Sequence, residues 1–208
     1  ARLLFHVYRL VDTAVMRLRR HRGHVVDLAR FDHDIEPVLA HRARRATVSC
    51  KRSTEFLNWR FVDCPFADRY RILACRDGAE LTGFAVVGSD FREEKKLAVI
   101  EELDGTPDAQ SQLVDFIVAS AYDDDVDAVY YEGLDNEVSR MLRRKMFFAR
   151  DSGHYFAVFS GDDRLDAHLA NRDNWSLRLA DADAGFAAQC GPARRMGIEL
   201  EPGERAVG

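Results

Sequence analysis

The sequence predicts an α/β domain, with a mixed, mainly antiparallel sheet flanked by helices on both faces. Three observations carry that reading. Residues 70–76 and 80–87 are strand-like runs that meet at Asp77-Gly78, a strong hairpin signal. A third apolar strand, 97–103, runs into Thr106-Pro107, which reads as a helix start. A strand at 128–131, a further helix and a closing strand at 154–159 follow, so strands and helices alternate over the second half of the run.

The elements follow in chain order. Residues 3–18 place Leu4, Val7, Val11, Ala14, Val15 and Leu18 at helical spacing. Arg17, Arg19, Arg20 and Arg22 then precede Gly23. This predicts an amphipathic linker helix within residues 1–23 that packs on its own or a neighbouring domain, a membrane surface being the alternative. Residues 24–28 form a short strand. Residues 32–45 form a helix with Ile35, Val38 and Leu39 on one face and Pro37 in its first turn. Thr54 is placed to cap a short helix that carries Phe56, Leu57, Trp59 and Arg60 and that Pro65 ends. The helix opened by Thr106 buries Leu113, Phe116, Ile117 and Ala121. Asn136 caps the next, with Val138, Met141, Leu142 and Met146 inward. A short helix to Leu169 and the stretch Asn174-Trp175-Ser176-Leu177 follow. Residues 184–208, rich in Gly, Ala and Arg, read as a flexible tail.

Composition narrows the function classes. The 208 residues are 47% hydrophobic, enough for one ordinary core, and the net charge of −5 makes no electrostatic case for a nucleic-acid partner. No apolar run approaches the eighteen or so residues that cross a bilayer. Cys50, Cys64, Cys75 and Cys190 are scattered, which predicts free thiols, a cytoplasmic setting and no zinc site. The pairs His21/His24, Asp32/Asp34 and Asp181/Asp183 lack further ligands, and 123–127 reads as a solvated acidic turn.

On these residues the run 69–160 resembles the core of the GNAT (GCN5-related) N-acetyltransferase fold. Leu57-Asn58-Trp59-Arg60-Phe61, Pro65, Tyr70 and Leu81-Thr82-Gly83-Phe84, with Trp175, Asp181 and Asp183 further on, resemble a divergent GNAT-like group. Members of that group commonly carry two such halves in tandem, as do the FemAB-like peptidyltransferases. The resemblance spans 24–183 and makes this stretch the C-terminal half of such a tandem. It implies an acyl-CoA-dependent N-acyltransferase, with acetyl-CoA as cofactor and a small-molecule or sugar amine as acceptor, in polysaccharide or cell-envelope biosynthesis. An N-terminal GNAT-like half of the same protein is the implied partner.

The same resemblance assigns candidate residues. Leu103, Gly105 and Thr106 fall on the strand end and loop that bind the cofactor, and Asn136 and Arg143 on the following helix. Glu101 or Glu102 is placed to be the base for an attacking amine; strand alternation sends one to each face, so at most one reaches the cleft. Tyr155, beside His154, begins the closing strand and is either a proton carrier or a packed strand residue. Trp59 and Arg60 are substrate-contact candidates, or else a core Trp beside a salt-bridged Arg. The chain departs from the pattern twice. Asp108 and Gln110 stand on the two glycine positions of the phosphate loop, where side chains and a negative charge oppose an anion. Arg143 stands where the pattern has an acid tyrosine, and arginine donates no proton at neutral pH. The alternative reading is therefore a GNAT-like domain that no longer binds CoA and serves as the substrate-holding or interaction half of a tandem protein.

Overall fold

Gly78 takes φ +58° and Asp77 pairs with Glu80, so β3 (Tyr70–Asp77) and β4 (Glu80–Arg92) join through a two-residue turn, Gly78-Ala79. A positive φ confined to the first turn residue is the II′ pattern, whose twist matches that of the strands. This computed structural model describes residues 24–45, 48–92, 94–150, 158 and 160–181. β4 continues past Val87, where Gly88-Ser89-Asp90 reads as a strand end, and turns near Glu94 (φ +64°) into β5 (Lys95–Gly105). β1 (His24–Leu28) pairs antiparallel with β3, and β6 (Ala128–Tyr131) pairs parallel with β5. The sheet order is β1-β3-β4-β5-β6, mixed and mainly antiparallel as predicted.

Alternation along the strands feeds two cores. Ile72, Ala74, Phe84 and Val86 pack beneath α1 (Glu36–Arg45) and α2 (Thr54–Phe61) with Ile35, Val38, Leu57 and Phe61. Leu73, Cys75, Ala85 and Ile100 face the other way, against α3 (Pro107–Asp123) and α4 (Asn136–Arg144), with Leu113, Val114, Ile117 and Val138. Helices therefore cover both faces, and the predicted stripe Leu113, Phe116, Ile117 and Ala121 is buried.

Two caps sit one residue earlier than predicted. Ser53, not Thr54, caps α2 by accepting from the Phe56 N–H, and Thr54 instead donates to Glu36 Oε1 at 2.9 Å. Asp135, not Asn136, caps α4 by accepting from the Glu137 and Val138 N–H groups at 3.0 Å. In both, either neighbour has a suitable side chain, and the one in extended backbone becomes the cap.

Met146 corrects a further expectation. It is 76% exposed, not inward, because the chain has left the helix with Met146 at φ +68°. The Phe147 N–H bonds Leu142 O and the Met146 N–H bonds Arg143 O, the paired bonds of a Schellman stop. Glycine suits that left-handed position, which costs other residues about 1–2 kcal/mol. Glycine also adds about 0.5–1 kcal/mol of unfolded-state entropy. Met146→Gly should raise stability by about 0.5–1 kcal/mol, which is about 1–4 °C in melting temperature at this chain length. A lowered melting temperature would contradict the assigned backbone.

A second, small sheet does not appear in the sequence reading: β2 (Val48–Ser49), β8 (Trp175–Arg178) and β7 (Gly133–Leu134), in the order β2-β8-β7. The short helix expected before it is α5 (Asp163–Ala170). The amphipathic helix of residues 3–18, Tyr155 and His154 with most of the closing strand, Asp183 and the 184–208 tail lie outside the described residues.

Candidate functional site

β5 and β6 run side by side only from Leu97/Ala128 to Ile100/Tyr131 and then part. The gap beyond that point is where the GNAT resemblance puts the cofactor. A β-bulge lies just there on β5: Val86 pairs with Glu102 and Val87 with Ile100, so Glu101 is the extra residue. The bulge cancels one step of the alternation. Glu101 and Glu102 consequently share one face, contrary to the expected split, at 2% and 0% exposure. Glu101 sits beside Tyr70 and Gly88, where a Cβ on residue 88 would lie 3.2 Å from its carboxylate.

The buried acids are held by arginines that the sequence reading did not single out. Arg52 donates to Glu102 Oε1 at 2.8 Å from Nε and 2.5 Å from a terminal nitrogen, and the same nitrogen stands 2.6 Å from Asp181 Oδ1. Burial lowers the Arg52 pKa, but Glu102 and Asp181 raise it by more, so it stays charged. Asp181 Oδ2 accepts from the Arg178 N–H, joining this group to a second one. The Arg178 guanidinium bonds Asp135 Oδ2 and Ser176 Oγ, lies 3.6 Å from Asp104 Oδ1, and donates to the Leu103 carbonyl at 3.2 Å. Its side chain is 1% exposed. Burial pulls the Arg178 pKa down, yet Tyr131, Asp104, Asp135 and Glu102 carry it well above the ordinary value.

The Leu103 carbonyl belongs to β5 past its last pairing with β6. It is an acceptor that an extended ligand lying in the gap would use. Arg178 of β8 uses it instead, so the gap between β5 and β6 is bridged from within the protein. Nor can Glu102 readily take a proton from an amine, since a guanidinium grips its carboxylate and water does not reach it.

The loop at the start of α3 is also committed. The Thr106 N–H bonds Thr82 O, the Ala109 N–H bonds Thr106 Oγ1, and the Gln110 N–H bonds Thr106 O. Pro107 has no N–H, so few donors remain for a phosphate. Gly105, at φ +130°, is there for close packing: a Cβ on it would collide with the Gly83 Cα, and one on Gly83 would lie 2.8 Å from Asp104 O. Gln110 is buried and Asp108 exposed.

The open cleft lies next door, about 580 Å³ between the first turns of α4 and residues 172–176. Asn136 and Arg143 line it, so two predicted residues meet there, joined by Ser139, Arg140, Arg172 and Trp175. Asn136 donates to the Asp173 carboxylate, fixing the 172–174 turn against α4. The other predicted residues do not gather there. Leu103 is buried in the core and Thr106 serves as a cap. Trp59 and Arg60 point apart: Trp59 is 59% exposed beside Phe56, whereas Arg60 is 2% exposed and lies over the Phe61 ring. Among the described residues no three His, Cys, Asp or Glu side chains group as a metal set, and no helix is long and apolar enough to cross a membrane.

Tyr131 ends β6 at the edge of the gap with its hydroxyl enclosed and, among the described residues, without a hydrogen-bond partner. Burial pushes its pKa up to about 12, with Arg178 opposing and the nearby acids adding. The raised value means that the folded state holds this proton while the unfolded chain releases it. The associated stability is full below about pH 10 and is lost as pH rises through about 12, on the order of 3 kcal/mol in all. An absorbance titration should show one phenol ionising late, and Tyr131→Phe should remove that step. A full set of phenols ionising near pH 10 would refute the enclosure.

No family model matches the sequence, and no curated protein matches it. Solved structures do resemble it. One is a ribosomal-protein-alanine N-acetyltransferase from Brucella melitensis biovar Abortus 2308, at 18% identity and TM-score 0.46, covering 65% of this chain and 98% of that one. A second is an aminoglycoside acetyltransferase from an uncultured soil metagenomic sample, in complex with trehalose, at 13% identity and TM-score 0.47, covering 65% and 95%. A third is a transcriptional regulator from Bacillus halodurans C-125, at 16% identity and TM-score 0.47, covering 65% and 100%.

Proposed function

We propose that this domain is a GNAT-like, substrate-holding module that does not take acyl-CoA into the gap between β5 and β6. One observation carries the reading: the buried Arg178 guanidinium already occupies the Leu103 carbonyl in that gap. The self-capped start of α3 agrees with it. The open cleft beside Asn136 and Arg143 is then the working site, lined by polar side chains and sized for a small molecule. The acyl transfer to an amine that the resemblance implies, with acetyl-CoA, belongs on this reading to another half of a tandem protein.

Mass action provides the test. A ligand that binds the folded state at a hundred times its Kd stabilises by about 2.7 kcal/mol. Millimolar acetyl-CoA should leave the melting temperature of this domain unchanged. A concentration-dependent rise would overturn the reading and restore this domain as an acyltransferase in its own right.

A further inference from the structure

We propose that the cleft beside α4 binds a sugar-sized small molecule bearing a phosphate or carboxylate, held by Arg140, Arg143 and Arg172. The proposal rests on the substrate-holding reading and adds the charge of what is held. Arg140 and Arg143 stand three apart on α4, on neighbouring positions of one helix face. Arg172 comes from the opposite wall, in the turn that Asp173 ties to Asn136.

These three arginines differ from five others around the sheet. Arg30, Arg52, Arg71, Arg76 and Arg178 each hold an aspartate or glutamate. Arg143 and Arg172 hold none among the described residues, and Arg140 reaches only the Asn136 carbonyl of its own helix at 3.2 Å. Of the acids of the cleft, Asp104 and Asp135 face Arg178, Asp173 accepts from the neutral Asn136 amide, and Glu137 stands in the first turn of α4. Three guanidinium groups thus gather in one concavity with no carboxylate in ion-pair contact among the described residues, and the Glu137 and Asp173 carboxylates line the same cleft. A planar fork of N–H donors fits phosphate and carboxylate oxygens in pairs, and several forks together favour an anion over a neutral sugar. A volume of about 580 Å³ leaves room for a ring beside the anion, along the wall formed by Ser139 and Trp175.

The test uses the full chain at low ionic strength, with glucosamine 6-phosphate, glucuronate, glucose, inorganic phosphate and acetyl-CoA as probes in calorimetric titrations. Arg143→Ala and Arg172→Ala are the variants; both positions are exposed, so unchanged melting without ligand is expected. The expected result is binding of the phosphorylated or the carboxylated sugar, the better of the two naming the anion, and none of glucose. Each substitution should weaken that binding about tenfold, or 1.4 kcal/mol, and added salt should weaken it further. Neither anionic sugar binding at millimolar concentration, or equal binding by the variants, would overturn the proposal. Inorganic phosphate binding as tightly as the sugar phosphate would overturn the part that gives the ligand a ring. Acetyl-CoA binding that survives both substitutions would defeat the closed-gap reading alone. Sugar binding lost in the variants would still stand.

Discussion

Arg52→Ala should destabilise the fold by about 3–5 kcal/mol, the range seen when one partner of a buried ion pair is removed. The Arg52 side chain is 2% exposed and lies between Glu102, at 0%, and Asp181, at 5%. Alanine takes from two buried carboxylates the guanidinium that both of them share. It also removes the cation from above the Phe56 ring, 4.7 Å away. Against a total stability of about 5–15 kcal/mol, the loss is a large fraction. Urea titration should show an earlier midpoint with little change of slope. The cause is separable from lost packing: Arg52→Met combined with Glu102→Gln keeps much of the volume and removes charge from both sides. That pair should cost clearly less than the sum of its single changes, because contacting residues couple by about 0.5–3 kcal/mol. A loss below about 1 kcal/mol for Arg52→Ala would mean that water reaches the pair.

The main sheet was legible because its signals are local. Asp77-Gly78 marks the hairpin, Thr106-Pro107 opens α3, and alternation separates Ile72 and Ala74 from Leu73 and Cys75. The bulge at Glu101 was not legible, since a single extra residue changes no propensity but redirects its neighbour's side chain. For the same reason Glu101 and Glu102 looked like one inward and one outward residue. A usable signal did exist: Glu101, Glu102 and Asp104 interrupt an apolar strand that must be covered on both faces, so buried cations had to come from elsewhere. Which arginines would answer, Arg52 before α2 and Arg178 in β8, depends on contacts across 50 and 75 residues, beyond any local pattern. The small sheet escaped notice because two of its strands are two residues long. Trp59 and Arg60 show a subtler limit. Adjacent residues on a helix point about 100° apart, so a sequence-adjacent pair there rarely serves one site.

Arg178 should prove at least as sensitive as Arg52. Arg178→Met retains the length of the side chain and removes its charge, leaving Asp104 and Asp135 at the cleft wall without their shared guanidinium and the Leu103 carbonyl without its donor. The expected loss is about 3–5 kcal/mol. Asp135 makes the effect spread, because its other oxygen caps α4, and a carboxylate drawn away from that cap weakens the helix that carries Arg140 and Arg143. Adding Asp104→Asn and Asp135→Asn to Arg178→Met should return much of the loss, since asparagine caps helices about as well as aspartate and neither side chain then carries charge. Urea midpoints of the single and triple variants decide the matter. A single variant as stable as the parent would show that the guanidinium is not bound in the gap, and the gap would then be open to an acyl-CoA chain after all. A triple variant no better than the single one would shift the cause from stranded charge to lost packing of β8 against β5.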